Sequence, residues 1–363
     1  MSADLTANAE EQAAAGDVAS QIALAATLTK SGDRANALAW LRRAVSSGRP
    51  DAKAALGRHL LLEPPLEPIE GLRLITEAAQ DGSGEAAHLM AVLDASGQMG
   101  PPNWPRALQL LQRSAELGLG LARAELALLA HDSALSTGLS AGDVPAPSTW
   151  ARLAASVDVA AWIKPPVGRA VHRNPRIAIS ERFASHAECD WLIARGKPHL
   201  RLAQTDDPQT GKPTYGQGRT NYSAELDLSQ TDVVMHLIRA RMSLLSGPPV
   251  NAMEGVAILN YQPGQQFYRH FDFLDPLMPG YAAQIAEHGQ RVLTFLIYLN
   301  EGFEGGETEF PAIHWRNKGA KGDAMFFWNI DGAGKPDRQT VHAGLPPASG
   351  EKWLLSQWVR GRV

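Results

Sequence analysis

The sequence of 363 residues contains a single cysteine, Cys189. One thiol cannot form a disulfide within the chain, so the core must hold the fold together, as in proteins of a reducing compartment. Long apolar runs are also missing. The longest, residues 292–299, is far shorter than the roughly 20 residues of a membrane-spanning helix. The N-terminus lacks the basic and apolar stretches of a signal peptide. We therefore expect a cytoplasmic protein without a membrane partner.

An excess of positive charge is missing as well. Lys and Arg number 34 against 38 Asp and Glu, which gives a formal net charge of -4, and no basic block interrupts the chain. Nucleic acids attract proteins through clustered Lys and Arg, so a nucleic acid is not expected as a partner. What remains is an ordinary globular composition, 44% hydrophobic and 20% charged, in a chain long enough for two domains.

The first 143 residues are rich in Ala and Leu and carry an internal repeat. Gly48, Gly82 and Gly118 recur at intervals of 34 and 36 residues, each preceded by an apolar pair and followed four residues later by alanine. The apolar spacing is helical, and each glycine stands where one helix ends and the next begins. Such a period is typical of stacked helical hairpins. The pattern over about residues 17–131 resembles the SEL-type branch of the tetratricopeptide superfamily.

We therefore predict an all-α helical-repeat solenoid over residues 1–143, with a non-repetitive Ala-rich bundle as the alternative. The composition changes between about residues 143 and 175, where several prolines bracket one helical stretch that starts near Ser148. Proline ends helices and stiffens connections. Residues 144–174 are accordingly predicted to form a Pro-bracketed helical linker.

Beyond the linker, the apolar residues form short segments that are typical of β-strands. These segments are residues 176–179, 255–261, 292–299, 323–328 and 352–359. Two predicted helices interrupt them, one starting at Ser185 and one over about residues 232–245. Many short strands closed by Gly- and Pro-rich turns favour a jelly roll. We predict a double-stranded β-helix (jelly roll) with flanking helices over residues 175–363, and so an α+β multidomain chain.

Three residues of this second half are candidate metal ligands. In an extended segment, residues i and i+2 point to the same side, so His270 and Asp272 can bind one ion together. His-x-Asp alone is a weak signal, because chance places it in many chains. It is strengthened by His342, which is followed ten residues later by Lys352 inside an apolar strand. Two histidines and one carboxylate form the facial triad of non-haem Fe(II) sites, which leaves coordination positions open.

The two usual zinc patterns, closed Cys and His sets and His-Glu-x-x-His on a helix, are absent from the sequence. Lys352 can serve as a buried cation that binds an acidic group through a charge-assisted hydrogen bond. The alternative for Lys352 is a surface lysine whose stem packs on apolar neighbours.

The motifs around these residues are ordered and correctly spaced. They are Tyr-x-x-Gly before His270, Arg-Val-Leu-Thr-Phe-Leu-Ile-Tyr-Leu-Asn at 291–300, Gly-Gly-Glu-Thr-Glu-Phe-Pro at 305–311, Lys-Gly-Asp-Ala at 321–324, and the segments 342–346 and 350–360. As a set, they resemble the prolyl 4-hydroxylase branch of the 2-oxoglutarate oxygenases over about residues 175–363. The resemblance implies Fe(II) as the metal, 2-oxoglutarate and O2 as cosubstrates, and ascorbate as a candidate reductant.

The resemblance also implies roles for other residues. Those implied to bind 2-oxoglutarate are Lys352, Tyr261, Tyr298 and Thr294. Those implied to contact substrate are Arg219, on a loop that closes over the site, Phe267 and Trp358. The alternatives are core packing for the aromatic residues and a solvated loop position for the arginine. The family often has tyrosine where this chain has Phe267, and this departure concerns the substrate rather than the iron chemistry.

We predict that the protein hydroxylates a C–H bond, with a prolyl residue of a peptide or protein as the expected substrate, and releases succinate and CO2. The repeats offer a surface that can hold such a substrate. One alternative is a hydroxylase of a free amino acid or small metabolite, whose repeats serve docking or dimerisation. Another is a non-catalytic repeat scaffold. The joint presence of the three candidate ligands and Lys352 argues against the scaffold.

Overall fold

The computed structural model describes residues 10–140, 142, 145–216 and 218–361. The chain divides into two compact units, and the boundary falls between Val157 and Asp158. This boundary lies inside the predicted linker, whose last residues take part in the second unit. None of the described helices is long and apolar enough to cross a membrane.

The first unit consists of helices that pack mainly on their neighbours in sequence. In chain order they are α1 Val18–Lys30, α2 Arg34–Val45, α3 Pro50–Leu62, α4 Pro68–Gln80, α5 Gly84–Ser96, α6 Trp104–Glu116, α7 Gly120–Leu129, α8 Ser133–Ser140 and α9 Ser148–Ser156. Contacts between sequential helical hairpins define an all-α repeat solenoid. The fold predicted for this half of the chain is confirmed.

The repeating glycines lie at turns between successive helices. Gly48, Gly82 and Gly118 have φ values of 73°, 99° and 98°, and they connect α2 to α3, α4 to α5 and α6 to α7. Glycine adopts this left-handed conformation without the steric cost that a Cβ adds. The alanine that follows each of them is buried in the helix packing, as Ala52, Ala86 and Ala122 are.

Another pair of glycines sets the distance between α3 and α4. A Cβ added to Gly57 would lie 2.9 Å from the carbonyl oxygen of Gly71 and 2.8 Å from Cγ1 of Ile75. A Cβ added to Gly71 would lie 3.0 Å from the carbonyl oxygen of Gly57. The two backbones are therefore closer than any other residue would allow without movement.

The second unit contains the helices α10 Val159–Ile163, α11 His186–Gly196, α12 Val233–Ser246 and α13 Pro279–His288. Ser185 caps α11, since its hydroxyl accepts from the Glu188 N–H and the Glu188 carboxylate accepts from the Ser185 N–H. Arg241 of α12 binds Glu188 at 2.8 Å and the carbonyl oxygen of Trp162 at 2.7 Å. This buried arginine fastens α10, α11 and α12 together.

The strands of the second unit are β1 Arg169–Arg173, β2 Arg176–Ser180, β3 Arg201–Leu202, β4 Thr205–Asp206, β5 Pro213–Thr214, β6 Tyr222–Leu226, β7 Val256–Tyr261, β8 Phe267–His270, β9 Gln290–Tyr298, β10 Glu304–Gly305, β11 Thr308–Phe310, β12 Trp315–Asn317, β13 Ala324–Trp328, β14 His342–Gly344, β15 Pro347–Ser349 and β16 Lys352–Gly361. Their pairs are antiparallel.

Two of the sheets build the jelly roll. The larger has the order β1-β2-β13-β9-β16-β7-β6-β3, and the smaller has the order β12-β11-β14-β8. Aromatic and aliphatic side chains such as Phe310, Phe327 and Leu354 form a buried cluster with members from both sheets. The double-stranded β-helix with flanking helices is therefore confirmed. The smaller sheet carries the two candidate histidine ligands, and the larger carries Lys352.

We expect Gly57→Ala to destabilise the repeat unit. The added methyl group must displace the Gly71 carbonyl or Ile75, and overpacking of this kind typically costs about 1–3 kcal/mol. Gly120→Ala is the matched control, because a Cβ there has nothing within 4 Å and alanine favours a helix over glycine. Thermal unfolding followed by far-ultraviolet circular dichroism measures both. Equal melting temperatures for Gly57→Ala and the native chain would contradict the close-approach argument.

Candidate active site

The candidate ligands meet because two short strands pair in register. His270 is the last residue of β8 and His342 the first of β14, and the antiparallel pairing places them opposite each other. Asp272 lies two residues beyond β8, with its carboxylate oxygens 3.5 Å from Nε2 of His270 and 3.4 Å from Nε2 of His342. The possible ligand atoms of all three residues lie within 4.8 Å of one another. One ion can therefore contact all three.

Backbone carbonyls fix the orientation of both imidazole rings. Nδ1 of His270 lies 2.7 Å from the carbonyl oxygen of Tyr268, and Nδ1 of His342 lies 2.9 Å from that of Thr340. A carbonyl oxygen can only accept, so each Nδ1 carries the proton and each Nε2 keeps a lone pair toward the aspartate. Burial, together with the charge of His270, lowers the pKa of His342 to about 4. His342 is therefore neutral at pH 7, as a metal ligand must be.

Asp272 is ionised, although it is only 3% exposed. Burial raises the pKa of its carboxyl group, but the two histidines beside it and the hydrogen bond from Thr294 outweigh burial and hold the pKa well below its usual range. The Thr294 hydroxyl donates to Oδ2 at 2.7 Å. Two imidazole nitrogens and one carboxylate around a common point fit a divalent metal such as Fe(II).

Lys352 is fully buried, yet its ammonium nitrogen has no hydrogen-bond partner among the described residues. Burial lowers the pKa of this lysine to about 7, against the attraction of Glu307. An unpaired ammonium group is costly to bury unless an anion compensates it. The orphaned donor therefore fits the carboxylate of an acidic ligand.

One cavity joins the ligand triad to Lys352. Residues that line it include Lys352, Leu354, Ser356 and Trp358 on β16, Ala257, Leu259 and Tyr261 on β7, Leu296 on β9, Glu225 on β6 and Thr308 on β11. His270, Asp272, His342, Arg219 and Phe267 line it as well. The structure thus brings eight of the ten predicted site residues to the same cavity.

Tyr261 lines the cavity beside Lys352 and Gly344. Its ring lies 5.0 Å from the Lys352 ammonium nitrogen, and a Cβ added to Gly344 would lie 3.2 Å from its hydroxyl oxygen. Burial raises the pKa of Tyr261 to about 12, so the phenol keeps its proton and can donate a hydrogen bond to a bound carboxylate. Gly344 keeps the space beside that hydroxyl open.

Thr294 and Tyr298 have partners other than the predicted 2-oxoglutarate. Thr294 donates to Asp272, while the Tyr298 hydroxyl lies 3.1 Å from Thr308 Oγ1 and 3.2 Å from the Asn317 carbonyl oxygen. Neither residue lines the cavity, whereas Thr308 does. Thr294 and Tyr298 therefore contact Asp272 and Thr308, which line the cavity, and do not line it themselves.

The residues predicted to contact substrate all line the cavity. The Arg219 guanidinium lies 4.5 Å from the Phe267 ring centroid, and Phe267 stacks on His270 with ring centroids 3.4 Å apart. Arg219 is only 6% exposed and donates to the Gln204 carbonyl oxygen at 2.8 Å, so it is not a solvated loop arginine. Trp358 packs under the Arg291 guanidinium at 3.6 Å, and its indole N–H has no hydrogen-bond partner among the described residues.

Several lining residues were not identified from the sequence. Leu354 and Ser356 lie between Lys352 and Trp358 on β16 and share their parity, so strict alternation along the strand would have found them. Glu225 lies on β6, a strand whose polar composition gave no signal. Asn329, which donates to Thr294 at 3.0 Å, follows β13 and has no local pattern that marks it.

The jelly roll, the triad and the buried lysine together define a non-haem iron oxygenase that uses an acidic cosubstrate. Residues 256–360 match the family model described as 2OG-Fe(II) oxygenase superfamily. The chain is 32% identical over 216 residues to prolyl 4-hydroxylase 1 of Arabidopsis thaliana, which covers 55% of this chain and 73% of that protein. It is 34% identical over 189 residues to the prolyl 4-hydroxylase subunit alpha-1 of Rattus norvegicus, covering 52% of this chain and 35% of that protein.

Among solved structures, the viral collagen prolyl hydroxylase of Paramecium Bursaria Chlorella virus-1, in its 2-oxoglutarate complex, aligns with a TM-score of 0.38 and 28% identity. The alignment covers 52% of this chain and 96% of that one. From the sequence relatives, the chain belongs to the prolyl 4-hydroxylase family of 2-oxoglutarate oxygenases. It is a 2-oxoglutarate-dependent dioxygenase, and Fe(II), 2-oxoglutarate and O2 are the cofactor and cosubstrates of its family.

Binding of 2-oxoglutarate is expected to weaken as the pH rises above about 7. Only the protonated Lys352 attracts a carboxylate. For a lysine with a pKa of about 7, the protonated fraction falls about tenfold for each pH unit above that value. The groups that act on it are Glu307, Lys318 and the Tyr261 ring. Calorimetric titration of the Mn(II)-loaded protein between pH 6.5 and 8.5 measures the effect.

Two variants frame this experiment. Lys352→Met is expected to abolish the binding at every pH, because it removes the cation. Lys321→Met is the matched control, since Lys321 pairs with the exposed Asp190 and does not line the cavity. An affinity of the native protein that does not change with pH would contradict the assignment of Lys352.

Proposed function

We propose that the protein hydroxylates a prolyl residue in a peptide or protein, with consumption of 2-oxoglutarate and O2 and release of succinate and CO2. The observation that carries the proposal is the cavity that contains the His270, Asp272 and His342 triad together with Lys352, whose ammonium group has no hydrogen-bond partner in the described part of the chain. The substrate class is supported by the relatives, whose names identify them as prolyl 4-hydroxylases.

In this proposal, His270, Asp272 and His342 hold the iron, and Lys352 with Tyr261 holds the far carboxylate of 2-oxoglutarate. When bound, iron with these cosubstrates supplies the oxidant for an unactivated C–H bond, which side chains alone cannot oxidise. The protein's task is to orient the cosubstrate and the substrate at the metal and to exclude water from the cavity. Carbonyl-bound imidazoles keep their Nε2 atoms toward the metal position, and Leu259, Leu296 and Leu354 make the walls between triad and lysine apolar.

The aromatic side chains that line the cavity suit a prolyl ring. Phe267 and Trp358 offer apolar faces, and proline has an apolar ring and no backbone N–H that would need a partner. Phe267 brings no hydroxyl group to the cavity. The indole N–H of Trp358, which has no hydrogen-bond partner among the described residues, and the Arg219 guanidinium are candidate donors for the substrate's backbone carbonyls.

We further propose that the repeat unit captures the polypeptide that carries the target proline. Helical-repeat solenoids present extended surfaces that bind extended chains. A peptide substrate is longer than the catalytic cavity, so residues away from the proline remain available for a second contact. Such a contact would raise affinity through its effective concentration without a change at the iron site.

Succinate release by the full chain tests the enzymatic proposal. The purified protein is incubated with Fe(II), ascorbate and 2-oxoglutarate, with a panel of proline-rich peptides, with free L-proline, or without substrate. We expect peptide-stimulated succinate release and a gain of one oxygen atom on a proline, seen by mass spectrometry. His270→Ala should lose both, because the triad loses a ligand and metal sites with fewer ligands bind weakly.

His186→Ala is the matched control for the histidine variant. His186 precedes Glu188 at the same spacing as His270 precedes Asp272, but it is exposed on α11, so its loss should leave turnover unchanged. Stimulation by free L-proline alone would replace the peptide substrate by a small molecule. If the folded native protein binds iron but releases no more succinate than His270→Ala, the hydroxylase proposal is wrong.

A further inference from the structure

We propose that Asn329 and Thr294 are positioning residues that hold Asp272 in the orientation in which it binds the metal. This inference rests on the proposed role of Asp272 as an iron ligand. It gives Thr294 a function different from the 2-oxoglutarate contact implied by the family resemblance, and it assigns a function to Asn329, which no sequence pattern marks.

The three side chains form one hydrogen-bonded series. Nδ2 of Asn329 donates to Oγ1 of Thr294 at 3.0 Å, and the Thr294 hydroxyl donates to Oδ2 of Asp272 at 2.7 Å. Asn329 is fully buried and Thr294 is 1% exposed. Both bonds are therefore shielded from water, where polar contacts are stronger and their geometry is better defined.

The direction of each hydrogen bond follows from the ionised aspartate. A carboxylate can only accept, so Thr294 must use its one proton for Asp272. Its oxygen can then only accept from Asn329, which must present its NH2 group rather than its carbonyl oxygen. The Asn329 Oδ1 consequently faces no donor, and it has no hydrogen-bond partner among the described residues. A buried amide whose oxygen has no donor is unfavourable. The orientation is therefore explained by the need for the NH2 group at Thr294.

The backbone around Asn329 keeps the series fixed. Its N–H donates to the Val292 carbonyl oxygen at 2.9 Å, two residues before Thr294 on β9, and its own carbonyl oxygen accepts from the Asp337 N–H at 2.9 Å. The amide donor and the hydroxyl that it holds are thus anchored to the same strand. Asp272, by contrast, lies beyond the end of β8, where no strand pairing fixes it.

The consequence concerns the rotation of the Asp272 carboxylate. A hydrogen bond on Oδ2 fixes rotation about the Cβ–Cγ bond, so the carboxylate keeps its relation to the two Nε2 atoms before a metal arrives. Hydrogen bonds to ligating carboxylates tune metal sites, and their removal typically costs about 10–100-fold in metal affinity. Thr294 cannot serve a bound acid in the same way, because its proton is used and it does not line the cavity.

Co(II) binding tests the proposal without turnover, through the affinity and the visible absorption spectrum of the bound ion. We expect Thr294→Val and Asn329→Leu to weaken Co(II) binding by about 10–100-fold and to change the spectrum. Thr294→Ser keeps the donor and should restore the native affinity to within about threefold. The 2-oxoglutarate affinity of variants saturated with Co(II) should remain native.

Thr231→Val is the control for the loss of a buried hydroxyl. Thr231 is 3% exposed and donates to the Leu228 carbonyl oxygen away from the cavity, so its loss should leave Co(II) binding native. Melting temperatures separate misfolding from a local effect, and Thr294→Ser decides the matter if the larger changes unfold the protein.

Each result has a distinct meaning. Native Co(II) affinity in Thr294→Val with weakened 2-oxoglutarate binding would overturn the positioning role in favour of a direct cosubstrate contact. Native behaviour of both Thr294→Val and Asn329→Leu would overturn it outright. If the native protein and His270→Ala bind Co(II) equally poorly, the proposed iron site itself fails, and the positioning role fails with it. If the native protein binds Co(II) strongly and only His270→Ala abolishes the binding, the positioning role is rejected while the iron site stands.

Discussion

The site depends on a positive charge that the fold buries with no hydrogen-bond partner among the residues that the structure describes. Lys352 lies at the start of β16, a strand that pairs with β7 on one side and β9 on the other. Burying such a group unpaired costs several kcal/mol, and the lowered pKa of the lysine reflects that cost. The burial of many apolar side chains elsewhere in the sheet offsets this cost. A bound carboxylate removes the penalty, so the free energy lost in the unliganded fold becomes selectivity for an acidic ligand.

Strand register then decides what faces this charge. Tyr261 pairs with Lys352, Thr294 with Trp358, and His270 with His342. A slip of one residue would move every side chain of a strand to the opposite face. The apolar core prevents such a slip, because the residues between the functional ones, such as Trp353 and Leu355, are buried on the other face. Packing on one side of the large sheet therefore fixes chemistry on the other.

The same physics explains what the sequence predicts and what it misses. The five predicted strands correspond to β2, β13, β9, β16 and β7, which are consecutive in the large sheet. They are buried on both faces and so read as apolar runs. The short β8 and β14 have mixed or polar composition, and they became visible only through the motifs that they carry, whereas the outer β6 gave no signal. The metal triad follows from spacing, but the Asn329 contact with Thr294 joins residues 35 positions apart and depends on how two strands meet.

The charges of the site balance both in the empty cavity and in the fully loaded one. With His342 held neutral and Asp272 held ionised, the chain contributes one negative charge beside the metal position and one positive charge at Lys352. A divalent metal and a dicarboxylate bring two charges of each sign. The loaded cavity would thus carry no net charge, which is the condition under which a buried ionic cluster costs least. Removal of either ligand leaves an imbalance, so metal and cosubstrate should each favour the binding of the other.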